Sequence, residues 1–201
     1  MITTILWDIG GVILRTEDSG PREQLAAELG LTRHELEKLI FGGDLGTRAQ
    51  KGEITPVELW AAARSALKLP PDAYPDFSER FFDGDRIDYD LVNFICSLKP
   101  RYKTGIISNA WKNLPEALEH WEIADAFDMV VGSGDEGIMK PDARIYQLAL
   151  ARAGAQANEC IFVDDFPHNI EGAQAVGMQG ILFRSAEQVI SELKTLLERD
   201  A

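Results

Sequence analysis

The sequence predicts an α/β fold in which a Rossmann-like parallel sheet is flanked by helices and carries an inserted, all-helical cap. Three observations predict it: short apolar segments that end in turn residues, helical patterns between them, and one interval too long for a single crossover. Continuous apolar segments of this kind are typical of strands that are buried on both faces. Their alternation with helices indicates βαβ units with right-handed crossovers.

The elements of the core follow from these patterns. The predicted strands are 3–7, 104–107, 129–131, 160–163 and 180–183. The predicted core helices are 88–98, 143–152, 170–176 and 186–197. Each strand after the second is therefore separated from its predecessor by a connection of ordinary length for an α/β protein.

The interval between the first two predicted strands carries helix signals and no strand-like alternation. Thr32 and Thr55 are each followed three residues later by a glutamate, the pattern of a capping box, and Pro56 occupies the favoured first helical position. We therefore expect a helical cap over 16–86. The core would then comprise 1–15 and 87–201.

Composition excludes several classes of protein. The 201 residues contain 20 Lys and Arg against 33 Asp and Glu, a net charge of −13, which argues against a nucleic-acid partner. No apolar segment approaches the roughly 20 residues that cross a membrane, and the N-terminus lacks the basic region of a signal peptide. Two distant cysteines, Cys96 and Cys160, predict neither a disulfide framework nor a zinc site. We expect a cytoplasmic protein, monomeric or homodimeric, with no membrane or nucleic-acid partner.

Small polar residues follow three of the predicted strands, where ligands bind in open α/β sheets. They are Asp8, Ser108 with Asn109, and Asp164 with Asp165. Any one of them could simply form a turn, but their occurrence at three strand ends, together with Lys140, favours a site. Three carboxylates in one crevice need a divalent cation, and oxygen ligands suit Mg²⁺ better than zinc.

Four motifs follow one another along the chain: Trp7-Asp8-Ile9-Gly10-Gly11-Val12, Ile107-Ser108-Asn109, Lys140-Pro141, and Val163-Asp164-Asp165 followed by Asn169. Together they resemble the four ordered motifs of the haloacid dehalogenase-like hydrolases. The order, the spacing and the insertion point of the cap agree along the whole chain. The chain is most similar to the helical-cap branch, and within it to bacterial sugar-phosphate phosphatases. The resemblance implies Mg²⁺-dependent hydrolysis of a small phosphorylated metabolite, such as a sugar phosphate.

The resemblance also implies a role for each motif. Asp8 would be the nucleophile that forms an aspartyl-phosphate, which water then cleaves. Ser108 and the backbone at Asn109 would bind the phosphoryl group. Lys140 would neutralise its charge and orient the nucleophile.

The metal ligands implied by the resemblance are the Asp8 and Asp165 carboxylates and the backbone carbonyl of Gly10. Asp164 and Asn169 would act less directly, through bound waters or through the lysine of the third motif.

One motif departs from the family pattern. Family members usually have a second Asp two residues after the nucleophile, where it protonates the leaving group, and here that position is Gly10. The chain could be a phosphatase that relies on an acidic leaving group or another acid, or a 2-haloacid dehalogenase-type hydrolase, whose halide needs no proton. It could also be a non-catalytic binding homologue or transfer phosphate to an acceptor other than water. The pair Asp164 and Asp165 weighs against the dehalogenase. Retention of Asp8, Lys140 and Asp165 together weighs against the binding protein.

A glycine-rich segment resembles a dinucleotide-binding motif only in its letters. The segment 132–137 matches G-x-G-x-x-G, but Pro141 follows closely and disfavours the continuing helix that a dinucleotide site requires. We do not expect a nucleotide cofactor there. His168, between Asp165 and Asn169, could act on the substrate or merely shape its loop.

Overall fold

The computed structural model describes residues 1–70 and 73–199, and all five predicted strands are present within one residue of their predicted bounds. In chain order the strands are β1 (Thr4–Trp7), β2 (Leu14–Thr16), β3 (Asp85–Ile87), β4 (Lys103–Ser108), β5 (Met129–Gly132), β6 (Cys160–Asp164) and β7 (Gln179–Leu182). The main sheet is parallel and has the order β5-β4-β1-β6-β7. The predicted α/β fold class is confirmed.

Helices fill the connections between the strands. They are α1 (Gly20–Glu28), α2 (Arg33–Phe41), α3 (Gly43–Gln50), α4 (Pro56–Ala66), α5 (Phe77–Phe82), α6 (Tyr89–Leu98), α7 (Leu114–His120), α8 (Ser133–Glu136), α9 (Ala143–Ala153), α10 (Pro167–Ala175) and α11 (Ala186–Arg199). In the described part of the chain, none of these helices is long and apolar enough to cross a membrane.

The central strand β1 is buried on both faces of the sheet. Side chains of successive residues in a strand point to opposite faces. Ile5 and Trp7 pack into one apolar cluster with residues of α6 and α11, whereas Leu6 packs into a second cluster with Tyr146 of α9. This two-sided burial explains why β1 has a continuous apolar sequence instead of an alternating one.

The inserted helices α1 to α5 pack around an apolar cluster of their own. Its fully buried members include Leu25, Leu36, Ile40, Leu59 and Phe81. Both predicted capping boxes are confirmed at the N-termini of α2 and α4, where each threonine and glutamate satisfy one another's backbone N–H groups.

The expectation that 16–86 contains no strand is wrong at both ends of that interval. Strand β2 pairs antiparallel with β3, and the hydroxyl of Thr16 donates to Asp85 at 2.7 Å. The buried guanidinium of Arg22 also binds Asp85, at 2.8 and 2.9 Å. This short ribbon joins the segment that enters the inserted helices to the segment that leaves them.

Candidate active site

The sheet order brings the predicted site residues to one edge. Strand β1 lies between β4 and β6, so the carboxyl ends of these three strands are adjacent. Asp8 follows β1, Ser108 ends β4, and Asp164 ends β6 with Asp165 after it. Carboxylate oxygens of Asp8, Asp164 and Asp165 lie within 4.8 Å of one another. The three acids predicted from separate strand ends therefore form one cluster.

The ammonium group of Lys140 lies between two of these carboxylates. Its Nζ is 2.8 Å from Asp8 Oδ1 and 2.6 Å from Asp164 Oδ2, and it donates to the carbonyl of Ile107 at 3.0 Å. The residue is only 3% exposed. A buried charge is tolerated when it is paired and hydrogen-bonded, and Lys140 meets both conditions.

The side chain of Asn109 holds the main chain of this lysine. Its Nδ2 donates to the Lys140 carbonyl at 3.1 Å, and its Oδ1 accepts from the Lys140 N–H at 2.8 Å. Both ends of the amide are thus engaged in fixing the loop that carries Lys140.

Asp164 is held from three sides. Asn169 Nδ2 donates to both of its oxygens, at 3.0 and 3.1 Å, and the N–H of Phe166 donates to Oδ1 at 2.8 Å. With Lys140 on Oδ2, this carboxylate is saturated by protein donors. Asp164 therefore supports Lys140.

Asp165 differs because one of its oxygens is buried without a partner. Among the described residues, its Oδ1 makes no hydrogen bond. A Cβ on Gly11, whose φ is +76°, would overlap the Asp165 carboxylate, so only glycine permits this close approach. Buried polar atoms are nearly always satisfied, and an orphaned carboxylate oxygen beside Asp8 fits a hard divalent cation.

The acids repel one another in this buried place. Burial, together with the charges of Asp8 and Asp164, raises the pKa of Asp165 to about 7. Burial likewise raises the pKa of Asp8, against the attraction of Lys140. One ammonium group does not compensate three carboxylates, which again favours a cation among them.

The backbone at Gly10 tolerates a side chain. Its φ lies outside the left-handed region, and a Cβ built on it would meet no atom within 4 Å. The residue is exposed beside Asp8. The absence of an acid at this position is therefore a feature of the sequence that neither packing nor backbone conformation imposes.

Among the described residues, the carboxylate cluster does not include His168. His168 is exposed, with its ring 5.4 Å from that of Phe166. Asp44 is exposed on α3, and Trp111 packs against the ring of Phe41. In 132–137 a helix does start at Ser133, but it has a single turn and ends at Glu136, too short for a dinucleotide site.

Sequence reasoning missed the buried hydroxyl of Ser133. It lies between the loop after β4 and the inserted helices, where it bonds Ala110 and Gln50. No local pattern in the sequence indicates this contact, because its partners are 23 and 83 residues away.

Comparison with known proteins decides the family. A model of the family described as haloacid dehalogenase-like hydrolase matches residues 2–177. The chain belongs to this family. It is thus a hydrolase by descent, as the four motifs predicted.

Curated relatives of this hydrolase include phosphatases. It is 26% identical to the sesquiterpene phosphatase astK of Aspergillus oryzae, over 96% of this chain and 95% of that protein. It is 26% identical to bifunctional epoxide hydrolase 2 of Sus scrofa, over 94% of this chain but only 38% of that protein. It is 38% identical to the ribulose-1,5-bisphosphate 5-phosphatase of Halopiger xanaduensis, over 64% of this chain and 48% of that protein.

Solved structures share the fold of this hydrolase. A HAD family enzyme from Bacteroides thetaiotaomicron, in complex with magnesium and inorganic phosphate, superposes with a TM-score of 0.74 at 20% identity, covering 92% of this chain and 95% of that one. A HAD-like family hydrolase from Porphyromonas gingivalis gives 0.76 at 22% identity, covering 98% of both chains. Likeness at this identity supports the fold assignment alone.

The raised pKa of Asp165 predicts an unusual pH dependence in excess chelator. Because the folded chain holds this proton up to about pH 7 while the unfolded chain releases it near 3.8, the folded state binds more protons between these values. The free energy of unfolding should therefore fall as pH rises from about 4 to about 7. Urea unfolding at several pH values measures it. Asp165→Asn is the control, and equal pH dependence in both proteins would contradict the assignment.

Proposed function

We propose that this hydrolase is a Mg²⁺-dependent phosphatase that cleaves a small phosphorylated metabolite through an aspartyl-phosphate on Asp8. The observation that carries the proposal is the Asp8 carboxylate, held by Lys140 beside the unsatisfied oxygen of Asp165. Relatives named as phosphatases, and a fold neighbour in complex with magnesium and inorganic phosphate, support it. The net charge of −13 favours a small-molecule partner over a nucleic acid.

In the proposed first step, a carboxylate oxygen of Asp8 attacks phosphorus while the bond between phosphorus and the leaving-group oxygen breaks. The N–H of Ile9 and the ammonium of Lys140 both contact Asp8 Oδ1, which fixes the carboxylate for attack. Lys140 also offsets the charge on the phosphoryl group. Ser108 and the N–H of Asn109 would bind the remaining phosphoryl oxygens.

In the proposed second step, water attacks the phosphorus of the acyl phosphate, which releases inorganic phosphate and restores Asp8. The inserted segment 16–86 would act as a cap that excludes water during the first step and opens for the second.

That the protein works in the cytoplasm, as a monomer or homodimer, stays a prediction.

The residues that would hold Mg²⁺ are Asp8, Asp165 and the carbonyl of Gly10. When bound, the ion would neutralise charge on the transferring phosphoryl group. Asp164 and Asn169 would serve the reaction by holding Lys140, since every oxygen of Asp164 already has a protein donor.

The open position at Gly10 bears on the choice of substrate. Without an acid there, the leaving group must carry its negative charge or take a proton from elsewhere. Phosphates on acidic hydroxyls fit this constraint, and an anomeric sugar phosphate is one such ester. The same observation keeps a 2-haloacid dehalogenase-type hydrolase as the second candidate, because a halide leaves without a proton.

Replacing the nucleophile tests the proposal first. Asp8→Asn keeps the shape of the side chain but removes its nucleophilic oxygen, so hydrolysis of p-nitrophenyl phosphate should fall by several orders of magnitude. Asp90→Asn, at an exposed position of α6, is the matched control and should retain activity. Urea unfolding checks that both variants fold. Asp8→Asn turnover within tenfold of wild type, about 1.4 kcal/mol in barrier, would refute the role.

Metal dependence is the second test. Chelation should abolish phosphatase activity and Mg²⁺ should restore it, because Asp165 leaves an oxygen free for a cation. Asp165→Ala should raise the Mg²⁺ concentration for half-maximal activity more than Asp164→Ala does. Full activity in excess chelator would instead favour the dehalogenase, and chloride release from 2-haloacids would then be measured.

The leaving-group preference is the third test. Wild type should cleave p-nitrophenyl phosphate faster than a simple alkyl phosphate by a wide margin, since general acid catalysis is typically worth about 10²–10⁴-fold. Gly10→Asp should narrow this margin, because a Cβ at Gly10 would meet no atom within 4 Å. Gly10→Asn has the same size without an acid and should not narrow it.

A wild-type rate that is independent of leaving-group acidity, with phosphoryl transfer shown to be rate-limiting, would mean that another acid serves. The residues to replace in that event are His168 and two exposed acids of the inserted segment, Asp44 and Glu53.

A further inference from the structure

The hydroxyl of Ser133 connects the inserted helices to the loop that follows β4. It is fully buried at the start of α8. Its Oγ donates to the carbonyl of Gln50, the last residue of α3, at 2.6 Å and accepts from the N–H of Ala110 at 3.0 Å. We propose that Ser133 is a positioning residue that couples docking of the cap to the order of the phosphate-binding loop, an inference that rests on the proposed function.

A single proton on this hydroxyl has two acceptors. The carbonyl of Ala110 lies 3.1 Å from Ser133 Oγ, and it already accepts from the N–H of Gly134 at 3.0 Å. With the cap docked, the proton therefore goes to Gln50, the nearer acceptor. When the cap lifts, the hydroxyl turns to Ala110 and stays satisfied, so opening does not leave a buried donor unpaired.

On the cap side, Gln50 also makes a hydrogen bond through its side chain. Its Nε2 donates to the carbonyl of Phe41, the last residue of α2, at 2.5 Å. The ring of Phe41 stacks on Trp111 of the core loop, with centroids 6.2 Å apart and an interplanar angle of 28°. Docking at Ser133 thus sets the end of α2 against the loop after β4.

On the core side, the loop bound by Ser133 contains the groups of the proposed reaction. Ala110 directly follows Ser108 and Asn109, and the Asn109 amide clamps the main chain of Lys140. A hydrogen bond to the Ala110 N–H therefore restrains the segment on which both the phosphate contacts and the lysine depend.

The backbone that follows α3 approaches the backbone of α8 closely, and we call this contact between Gly52 and Gly134 the seam. Gly52, two residues beyond Gln50, has a φ of +67°, and a Cβ on it would overlap the carbonyl oxygen of Gly134. A Cβ on Gly134 would overlap the backbone of Trp111 and Lys112. The close approach of Gly134 to the neighbouring chain segment therefore accounts for the second glycine of the G-x-G segment without a nucleotide.

The test removes the hydroxyl and blocks the seam separately. Ser133→Ala deletes the hydrogen bonds, and Ser97→Ala, which deletes an exposed 2.6 Å hydroxyl bond on α6, is its control. Gly52→Ala inserts a methyl group into the seam. Gly30→Ala is the control for it, because Gly30 has a φ of +70° with no atom near its Cβ and so reproduces the backbone strain alone.

The first measurement is amide hydrogen exchange of the metal-loaded protein, which needs no catalytic activity. In Ser133→Ala, the segments around Gln50 and Ala110 should exchange about three- to tenfold faster, the factor expected for one hydrogen bond. Gly52→Ala should accelerate both segments as well. The two control variants should leave them unchanged. If both segments of Ser133→Ala exchanged at the wild-type rate, the proposal would be overturned.

The second measurement is kinetics with p-nitrophenyl phosphate. Ser133→Ala should lower kcat/KM about three- to tenfold without changing its pH profile. Gly52→Ala should lower kcat/KM by a smaller factor in the Ser133→Ala background than in the wild-type background, because both substitutions act on one contact. Faster exchange with unchanged kcat/KM, or fully additive effects, would refute the coupling. An inactive wild type would refute the proposed function, while exchange would still decide whether Ser133 docks the cap.

Discussion

The contact of one buried ammonium group with two carboxylates is the interaction on which the site depends. Lys140 lies 2.8 Å from Asp8 and 2.6 Å from Asp164, and burial would otherwise leave these acids facing one another uncompensated. Removal of one partner from a buried ion pair strands the others, at a typical cost of about 3–5 kcal/mol. The side-chain amides of Asn109 and Asn169 hold this arrangement in place, the first through the main chain of Lys140 and the second through the Asp164 carboxylate.

The fold supplies that arrangement through strand order. Because β1 lies between β4 and β6, three chain segments that are far apart in sequence end side by side. The inserted helices leave the core after β2 and return through β3, so the ribbon of these two strands attaches them near the carboxyl end of β1. Ser133 then provides a second attachment, because its hydroxyl bonds both the loop after β4 and the last residue of α3.

Much of this could be predicted from sequence, and the reasons differ between elements. The strand β1 was predictable because burial on both faces imposes a continuous apolar segment, and the capping boxes because they are local. The pairing of Thr16 with Asp85 joins three-residue strands 69 positions apart, which no local pattern reveals. The clamp of Asn109 on Lys140 spans 31 positions, so the sequence indicated an important asparagine without its contact.

The central claim of the account is covalent catalysis by Asp8, and trapping the intermediate tests it most directly. Enzyme in excess over p-nitrophenyl phosphate would be quenched during a single turnover and reduced with borohydride, which converts an aspartyl-phosphate to homoserine. Peptide mass spectrometry should then find homoserine at position 8 at times when nitrophenol has been released and phosphate has not. Release of nitrophenol and phosphate together, with Asp8 unmodified at every time sampled, or reduction of a different residue, would contradict the account.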